Sequence, residues 1–294
     1  MAQRNIFPRL VPYFFLIGPL ILYLIWVIGP MFYTIYLSFT NWDGVSSPAL
    51  IGWRNYQKLF RDPVFYISLG NNLRWMVCFI TIPVVGGLAL ALTLNRNIPG
   101  AKFFKTSFYA PMVLSLVVCG LIWSWMYHPA KGLINETFRA VGLDSLAQGW
   151  LSDRRLVMWA IIAVGIWRQV GYVMVLYLAG LQGIDPTYVD ASRVDGCNSW
   201  QTIWHVILPL LSPVTVVVVV ISIIDSLRAF DLVSVMTRGG PYYSSSVLAN
   251  FMYIEAFNNY KMGYGASISV ILFLLSAVFI FIYLWRVLKT ELEY

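Results

Sequence analysis

The chain has 294 residues, of which 59% are hydrophobic and 11% are charged, and it carries a formal net charge of +7. Because a soluble domain carries roughly 25% charged residues, this composition excludes an ordinary soluble protein and indicates one that is embedded in a lipid bilayer. The excess of basic over acidic residues then favours contact with anionic lipid headgroups and argues against nucleic acid as a partner.

Six apolar stretches are each long enough to cross a bilayer, which takes roughly 20 mostly apolar residues in a helix. In chain order they are residues 11–39, 71–94, 106–127, 156–181, 212–236 and 266–288. Prolines are expected to bend the first stretch (Pro12, Pro19, Pro30) and to kink the second and third (Pro83, Pro111). Such prolines are tolerated where neighbouring helices satisfy the freed backbone groups, so a packed helical bundle is predicted.

Three connections between these stretches, 40–70, 128–155 and 237–265, are long and rich in aromatic and turn-forming residues. We expect all three to be loops. No internal repeat, low-complexity segment or appended soluble domain is visible in the sequence. Residues 1–294 are therefore predicted to form one all-α membrane domain with six transmembrane helices.

The distribution of basic residues gives an orientation. The short connection 95–105 carries Arg96, Lys102 and Lys105 without an acidic residue, and further basic residues such as Arg4 lie close to the two ends of the chain. Short basic loops favour the cytoplasmic side, although more basic residues in total fall on the opposite side. We therefore predict cytoplasmic N- and C-termini, which places residues 182–211 in the cytoplasm as well.

Residues 185–209 interrupt the apolar second half with a pattern of helix signals. Asp185-Pro186 predicts the start of a short helix, and Gly196 can take the left-handed conformation that ends it. Asn198 or Ser199 can then cap a second helix, which Pro209 is expected to close. In that second helix an apolar stripe recurs at helical spacing (Trp200, Ile203, Trp204, Ile207), and Gln201, Thr202 and His205 fall off it.

Two interpretations of this segment remain open on periodicity alone. An amphipathic helix between two spans can lie on the lipid headgroups. A short capped helix that ends at a glycine, held by a second helix against the membrane, can instead be a rigid element that a cytoplasmic partner grips.

No catalytic pattern emerges from the sequence. Residues 99–102, Pro-Gly-Ala-Lys, lack the spacing of a nucleotide-binding Walker A motif, and His128 and His205 are far apart. The three cysteines (Cys78, Cys119, Cys197) have neither zinc-type spacing with the histidines nor the pattern of a disulfide framework. The chain is predicted to be no enzyme and to bind no cofactor or metal.

Four charged residues lie within the predicted spans, which is rare and therefore informative. Arg168 is near the middle of the fourth span, and Asp225, Arg228 and Asp231 follow one another at steps of three in the fifth. They can form a polar face along a solute pathway. They can also form an ion-pair ladder in which Arg168 faces Asp225 and locks the two helices together. The two interpretations are compatible.

The 185–209 segment resembles a known family pattern. Asp190-Ala191-Ser192-x-x-Asp195-Gly196-Cys197, followed by Ile203, Leu208 and Pro209, is similar to the EAA loop of binding-protein-dependent ABC importer permeases. That loop has the pattern Glu-Ala-Ala-x-x-Asp-Gly-Ala, and the chain departs from it conservatively at Asp190, Ser192, Cys197 and Ile203.

A second motif supports the resemblance. Leu227-Arg228-Ala229-Phe230-Asp231, with Thr237-Arg238-Gly239-Gly240-Pro241, is similar to the R-x-F-D…T-x-G-G-P signature at the outer end of the fifth helix in carbohydrate permeases. The outer-face residues of that signature are Thr237, Gly239, Gly240 and Pro241. With further matches at Gly52–Tyr56 and 253–267, the resemblance covers nearly the whole chain and points to the maltose and glycerol-3-phosphate class.

The resemblance implies the fold and assembly of a type I ABC importer in a bacterial or archaeal inner membrane. The chain would pair with a second permease subunit, and a solute-binding protein outside the cytoplasm would deliver a sugar-like solute. Two separate ABC ATPase subunits would grip the loop through Asp190, Ala191, Ser192, Asp195, Gly196, Cys197, Trp200 and Pro209.

Two alternative functions belong to other classes of membrane protein. An ion-coupled secondary transporter would relay protons through Asp225, Arg228 and Asp231, but the sequence shows no repeat pair of the kind those folds use. A helical scaffold without transport activity would leave the capped 185–209 segment unexplained.

Overall fold

A computed structural model of the chain describes residues 7–96 and 98–291, and the side chains of residues 15–96 and 98–287. Arg4, used above for the orientation, lies outside the described residues. In chain order the helices are α1 (Phe7–Tyr23), α2 (Gly29–Leu37), α3 (Arg54–Leu59), α4 (Pro63–Leu94), α5 (Ala101–Val113), α6 (Leu116–Met126), α7 (Leu133–Ala140), α8 (Val157–Gln182), α9 (Pro186–Val194), α10 (Ser199–Thr202), α11 (Leu208–Leu210), α12 (Ser212–Leu227), α13 (Asp231–Met236), α14 (Leu248–Tyr253) and α15 (Met262–Glu291). Wider π-helical turns at Leu24–Ile28, Ile203–Ile207 and Ile254–Asn258 adjoin α2, α10 and α14, and a 3₁₀ turn covers Asp144–Leu146.

Within the described part of the chain, four helical stretches are long and apolar enough to cross a membrane: Phe15–Leu37, α4, α8 and Met262–Val287 of α15. Two bent pairs raise the number to six if each pair is one span. One pair is α5 with α6, bent by 102°, and the other is Ser199–Leu210 with Ser212–Met236, bent by 70°. These stretches overlap the six predicted spans, but the second bent pair begins at Ser199, inside the segment that we expected to lie in the cytoplasm.

The third span is broken where the sequence predicted only a kink. The chain leaves the helix at Leu114, whose amide donates to the carbonyl of Pro111 (3.3 Å), and α6 restarts at Leu116. The hydroxyl of Ser115 caps the new helix by accepting from the amide of Val118 (3.3 Å). Because a serine can cap the new helix directly after the proline-containing turn, a sharp bend replaces the kink.

The predicted loops contain more helix than expected. Helix α4 starts at Pro63 and not at residue 71, since proline is well suited to the first turn of a helix, and it runs through Pro83 without a break. Helices α3, α7 and α14 also lie in segments that we expected to be loops. These helices are short, and their apolar residues are too few to give a clear period in the sequence.

The described residues divide into two compact units. The first comprises the chain up to Asp62 together with Met252–Ile271, and the second comprises Pro63–Phe251 together with the chain from Leu272. In the first unit the side-chain amide of Asn55 donates to the carbonyls of Ser38 (2.9 Å) and Thr40 (2.8 Å).

The second unit is built on close packing between α4 and α8. A side chain at Gly87 of α4 would meet the backbone nitrogen of Met174 at 2.9 Å, and one at Gly171 of α8 would overlap the carbonyl of Phe108. A side chain at Gly165 would lie 2.9 Å from the ring of Phe79. The three glycines therefore let neighbouring helices approach the backbone directly, which brings α8 close to α4 and α5.

Two asparagines of α4 hold the segment before α14 in place. The side-chain amide of Asn72 donates to the carbonyl of Ser226 (3.3 Å), and its oxygen accepts from the amide of Leu248 (2.8 Å). The amide of Asn71 donates to the carbonyls of Ser244 and Ser246, both at 2.8 Å. Both asparagines are fully buried, so these bonds satisfy backbone groups that water cannot reach.

Candidate functional site

The 185–209 segment begins with the predicted cap. The carboxylate of Asp185 accepts hydrogen bonds from the amide (2.9 Å) and the hydroxyl (2.7 Å) of Thr187, and Pro186 occupies the first helical position of α9. The hydrogen bond from the Thr187 amide, followed by that from its hydroxyl, lowers the pKa of Asp185 below its ordinary value. The sequence-based start of this helix is confirmed.

The turn between the two helices also forms as predicted. Gly196 has a φ of +84°, which is the left-handed conformation, and the amide of Cys197 donates to the carbonyl of Ser192 (3.0 Å). Asn198 is the residue that caps the second helix: its side chain accepts from the amide of Gln201 (2.9 Å). The Gln201 side chain in turn accepts from the amide of Asn198 (2.9 Å), which completes a capping box.

The predicted apolar stripe of the second helix divides into two pairs, Trp200 with Trp204 on an exposed face and Ile203 with Ile207, which are partly buried. The π-helical turn Ile203–Ile207 adds a residue to the helical repeat, because the amide of Leu208 bonds to Ile203 and Pro209 has no amide to donate. Trp200 and Trp204 are 67% and 54% exposed and pack against each other edge to face.

The two helices are joined instead by a residue that the stripe excluded. Thr202 is buried, and its hydroxyl lies 3.1 Å from the buried hydroxyl of Ser192 on α9. In the sequence Thr202 stands between Gln201 and two apolar residues, and this pattern does not indicate that its side chain is buried against Ser192.

The other predicted loop residues face outward or continue the chain. Asp190 forms an exposed ion pair with Arg193 (3.1 Å), and Ala191 and Asp195 are also exposed. Pro209 does not close the second helix, which continues to Leu210 before the bend at Leu211. The turn continues past the proline because the amide of Leu211 still reaches the carbonyl of Ile207 (2.9 Å).

A second site lies within the helices of the second unit. A cavity of about 300 Å³, here called the charged cavity, is lined by all four charged residues that the sequence singled out. Its lining comprises Trp75, Phe79, Met112, Leu116, Gly165, Arg168, Gln169, Asp225, Arg228, Ala229, Asp231 and Leu232. Helix α12 ends at Leu227 and α13 begins at Asp231, so Asp225, Arg228 and Asp231 surround one cavity without sharing the continuous helical face that the spacing suggested.

The ion-pair ladder predicted between Arg168 and Asp225 is wrong. Among the side chains that the structure describes, no ion pair joins these two residues. The guanidinium of Arg168 donates to the carbonyls of Met112 and Leu114 (both 3.4 Å), which are left free by the break between α5 and α6. The side-chain amide of Gln169 donates to the carboxylate of Asp225 (3.3 Å).

Sequence reasoning did not assign Gln169 or Trp75 to the charged cavity. Gln169 is a buried amide within a span, and it was not predicted because only the charged residues within the spans, such as its neighbour Arg168, were treated as exceptional. Trp75 is buried against Phe79, with ring centroids 5.7 Å apart. In the sequence, a tryptophan within an apolar span is equally typical of a residue that only packs between helices.

The outer-face signature forms a tight turn. The Gly240–Pro241 peptide is cis, and Arg238 and Gly239 have positive φ. The hydroxyl of Thr237 lies 2.8 Å from that of Ser245, which donates to the carbonyl of Gly240 (2.5 Å). A side chain at Gly239 would lie 3.2 Å from the amide of Asn250, so the four signature residues shape one compact turn.

Comparison with known proteins gives the family. The model of the binding-protein-dependent transport system inner membrane component matches residues 83–290, which include the 185–209 segment, the outer-face turn and the lining of the charged cavity except Trp75 and Phe79. The chain belongs to this family. It is an inner-membrane permease component of a binding-protein-dependent ABC transport system, and its family relationship favours this assignment over the ion-coupled alternative.

Individual relatives agree with this assignment. The permease is 38% identical over 278 residues to a probable ABC transporter permease of Pyrococcus horikoshii, which covers 94% of this chain and 95% of the relative. It is 33% identical over 295 residues to a probable permease of a transport system for starch degradation products from Thermoanaerobacterium thermosulfurigenes, and all of both chains is covered. These relatives are permease subunits and not enzymes.

A solved structure confirms the fold. The permease superimposes with a TM-score of 0.84 on a chain of a bacterial alginate ABC transporter that was crystallised with a periplasmic protein carrying an alginate pentasaccharide. The sequences are 21% identical, and the match covers 96% of this chain and 95% of the other. The all-α permease fold predicted from the sequence is confirmed.

Proposed function

We propose that this permease carries a carbohydrate or a similar polyhydroxylated solute across the membrane as one of two paired permease subunits. The solute is handed over by an extracytoplasmic binding protein, and ATP is hydrolysed by two separate ATPase subunits. Support comes from the family, whose description names binding-protein-dependent transport, and from the full-length relative that belongs to a system for starch degradation products.

The 185–209 segment is the element through which the permease responds to the ATPase. The single observation that carries this proposal is that the segment is a rigid unit: both helices are capped by side chains, Gly196 fixes the turn, and Ser192 contacts Thr202. A rigid unit that presents Asp190, Ala191 and Asp195 outward can move as one body when a partner binds it. Such a movement is what alternating access requires.

The charged cavity is the stretch of the solute path that this subunit contributes. Asp225, held by Gln169, and Asp231 supply carboxylate acceptors, and Arg168 and Arg228 supply donors. The rings of Trp75 and Phe79 add apolar faces on which a sugar ring can pack. The two carboxylates and two guanidinium groups balance each other in charge, which suits a solute with many hydroxyl groups.

The proposal is tested by isolating the transporter with the binding protein and ATPase that co-purify with the permease. Candidate carbohydrates are then assayed for stimulation of ATP hydrolysis in the presence of the binding protein. Stimulation by a sugar supports the proposed solute class, and stimulation only by an amino acid or an inorganic ion would refute it.

A variant of the cavity separates a role in the path from a role in folding. Asp225→Asn keeps the size of the side chain and its contact with Gln169 while it removes the charge. We expect a folded transporter with altered solute preference, whereas Asp144→Asn, at an exposed aspartate outside the cavity, leaves preference unchanged. Loss of the folded protein in Asp225→Asn alone would assign a structural role to this residue.

A further inference from the structure

A second cavity, here called the basic cavity, lies between the 185–209 segment and the ends of two long helices. Its volume is about 260 Å³. One wall is formed by Asn95 and Arg96 at the end of α4 and by Leu181 of α8, and the other wall includes Arg193 of α9 and Ser199 of α10. The cavity is separate from the charged cavity, since the two have no lining residue in common.

The charge of this cavity is one-sided. Two arginines from different elements line it, Arg96 after α4 and Arg193 of α9, and none of the described residues around it is an aspartate or a glutamate. Arg193 has a partner, Asp190, but that ion pair is exposed on α9. The guanidinium of Arg96 forms no ion pair among the described residues. Asp190 already offsets the charge of Arg193 from the exposed side, and an anion in the cavity would compensate Arg96 as well.

The size and chemistry of the cavity restrict the anion. Its volume is slightly below the roughly 300–1,000 Å³ of sites that enclose drug-sized ligands, so it fits a compact group. Guanidinium groups match the oxygens of phosphate in paired hydrogen bonds, and Asn95 and Ser199 offer further donors. Leu181 gives the same cavity an apolar side, which suits the carbon chain of an ester.

We propose that the basic cavity binds an anionic phosphate group, either free or carried by a lipid headgroup, between Arg96 and Arg193, and that the bound group fastens the 185–209 segment to the ends of α4 and α8. The two arginines belong to elements that must move relative to each other if the segment transmits motion. An anion that bridges them therefore adjusts how firmly the segment is held. This site is additional to the solute path, and it shares Cys197 with the predicted ATPase contact.

The same chemistry is available from two sources, a phospholipid headgroup and a free phosphate compound. The experiment uses the complete transporter in nanodiscs. In the first arm phosphatidylglycerol replaces part of the phosphatidylcholine, and in the second arm inorganic phosphate is added to nanodiscs of phosphatidylcholine alone. The thermal unfolding midpoint reports binding in both arms, and native mass spectrometry counts the phosphatidylglycerol molecules retained.

The proposal expects a saturable rise of the unfolding midpoint in at least one arm. Arg96→Gln should weaken the apparent affinity about tenfold or more, as expected for the loss of a charge-assisted hydrogen bond. Lys102→Gln is the matched control, because Lys102 is an exposed basic residue of the same connection that does not line the cavity. It should respond as the wild type does. A response to phosphatidylglycerol alone identifies a headgroup, and a response to inorganic phosphate identifies a free anion.

A charge reversal tests the bridging role independently. Arg96→Glu places a carboxylate opposite Arg193, so it should hold the segment without any added anion and abolish the response in both arms. The proposal is overturned if the wild type responds in neither arm, or if Arg96→Gln responds as strongly as Lys102→Gln. The second outcome would show only general attraction between basic residues and an anionic surface.

Discussion

The hydroxyl groups of Ser192 and Thr202 lie 3.1 Å apart and connect the two helices of the 185–209 segment. Each hydroxyl also lies within hydrogen-bond distance of a carbonyl in its own helix, Ser192 of Val189 (2.7 Å) and Thr202 of Asn198 (3.1 Å). Because a hydroxyl has one proton, one of the two donates to its carbonyl and accepts from the other across the pair. This contact, with the left-handed turn at Gly196, makes one body of two short helices that would be unstable in isolation.

Removing the hydroxyl of Thr202 should loosen the segment. Thr202→Val keeps the shape of the side chain, and we expect a loss of about 0.5–1.5 kcal/mol of unfolding free energy. A double-mutant cycle with Ser192→Ala isolates the contact between the two residues. Thr106→Val is the control, since that hydroxyl bonds only to Lys102 in its own helix. Strictly additive effects of the two substitutions would argue against the contact.

The cap at Asp185 predicts an effect of pH. The hydrogen bonds from Thr187 lower the pKa of Asp185 below 3.8. The carboxylate therefore contributes its stabilisation fully above that value and loses it as the pH falls through its lowered pKa in the folded protein. Hydrogen-exchange protection of the Thr187 amide should decrease in acid. In Asp185→Asn, which retains a capping side chain without a titrating group, protection should not change with pH. Equal acid sensitivity of the two proteins would exclude this cause.

Two adjacent glycines of α4 should differ sharply in their tolerance of alanine. At Gly87 the added methyl group would meet the backbone nitrogen of Met174 at 2.9 Å, whereas at Gly86 the nearest atoms are 3.8 Å away, in Val170. We expect Gly87→Ala to cost about 1–3 kcal/mol of unfolding free energy. Gly86→Ala should be neutral or stabilising, because alanine favours the helix. Denaturant unfolding of both variants checks this, and equal stabilities would contradict the packing described.

The buried amide of Asn72 should be essential to the segment before α14. Asn72→Leu keeps the approximate volume but leaves the carbonyl of Ser226 and the amide of Leu248 without this partner. A buried unsatisfied group costs about 1–3 kcal/mol. Hydrogen exchange at Leu248 should accelerate, and Asn258→Leu, at an exposed site, should leave it unchanged. Unaltered protection at Leu248 in Asn72→Leu would show that this bond is dispensable.

The elements predicted best from the sequence are those with local causes. Asp185, Gly196 and Asn198 act on their own backbone, so a short pattern of residue types is sufficient to place them. The long apolar spans could be predicted for a similar reason, because only the length of each apolar stretch has to be compared with the thickness of the bilayer. The π-helical turn before Pro209 has a local cause as well, but it shifts the helical phase between the residues before it and those after it, and the simple helical period cannot show this.

The site residues were harder to predict, because their partners come from distant parts of the chain. Four charges in the spans were recognised as exceptional, and they do line one cavity. Their pairing could not be predicted, since Asp225 bonds to Gln169 and Arg168 bonds to carbonyls freed by the bend after α5. That bend lies where Ser115 caps the next helix. The spacing of residues in the sequence does not indicate which side chain will reach the carbonyls that the bend leaves free.

A substitution at Gly196 tests most directly whether the 185–209 segment transmits the movement of the ATPase. An added side chain at Gly196 meets no atom within 4 Å, so Gly196→Val disturbs only the backbone conformation at φ +84°. Gly142, with a φ of +76° and equally open surroundings, is the matched control outside the segment. Gly196→Asn is the milder variant, because asparagine tolerates the left-handed conformation.

The decisive measurement is the amount of solute taken up per ATP hydrolysed in proteoliposomes that contain the complete transporter and its binding protein. The solute is the carbohydrate that stimulates hydrolysis most strongly. We predict that Gly196→Val assembles with the ATPase but lowers this ratio severalfold, that Gly196→Asn lies closer to the wild type, and that Gly142→Val retains the wild-type ratio. A Gly196→Val transporter that remains assembled and takes up solute with the wild-type ratio would contradict the account.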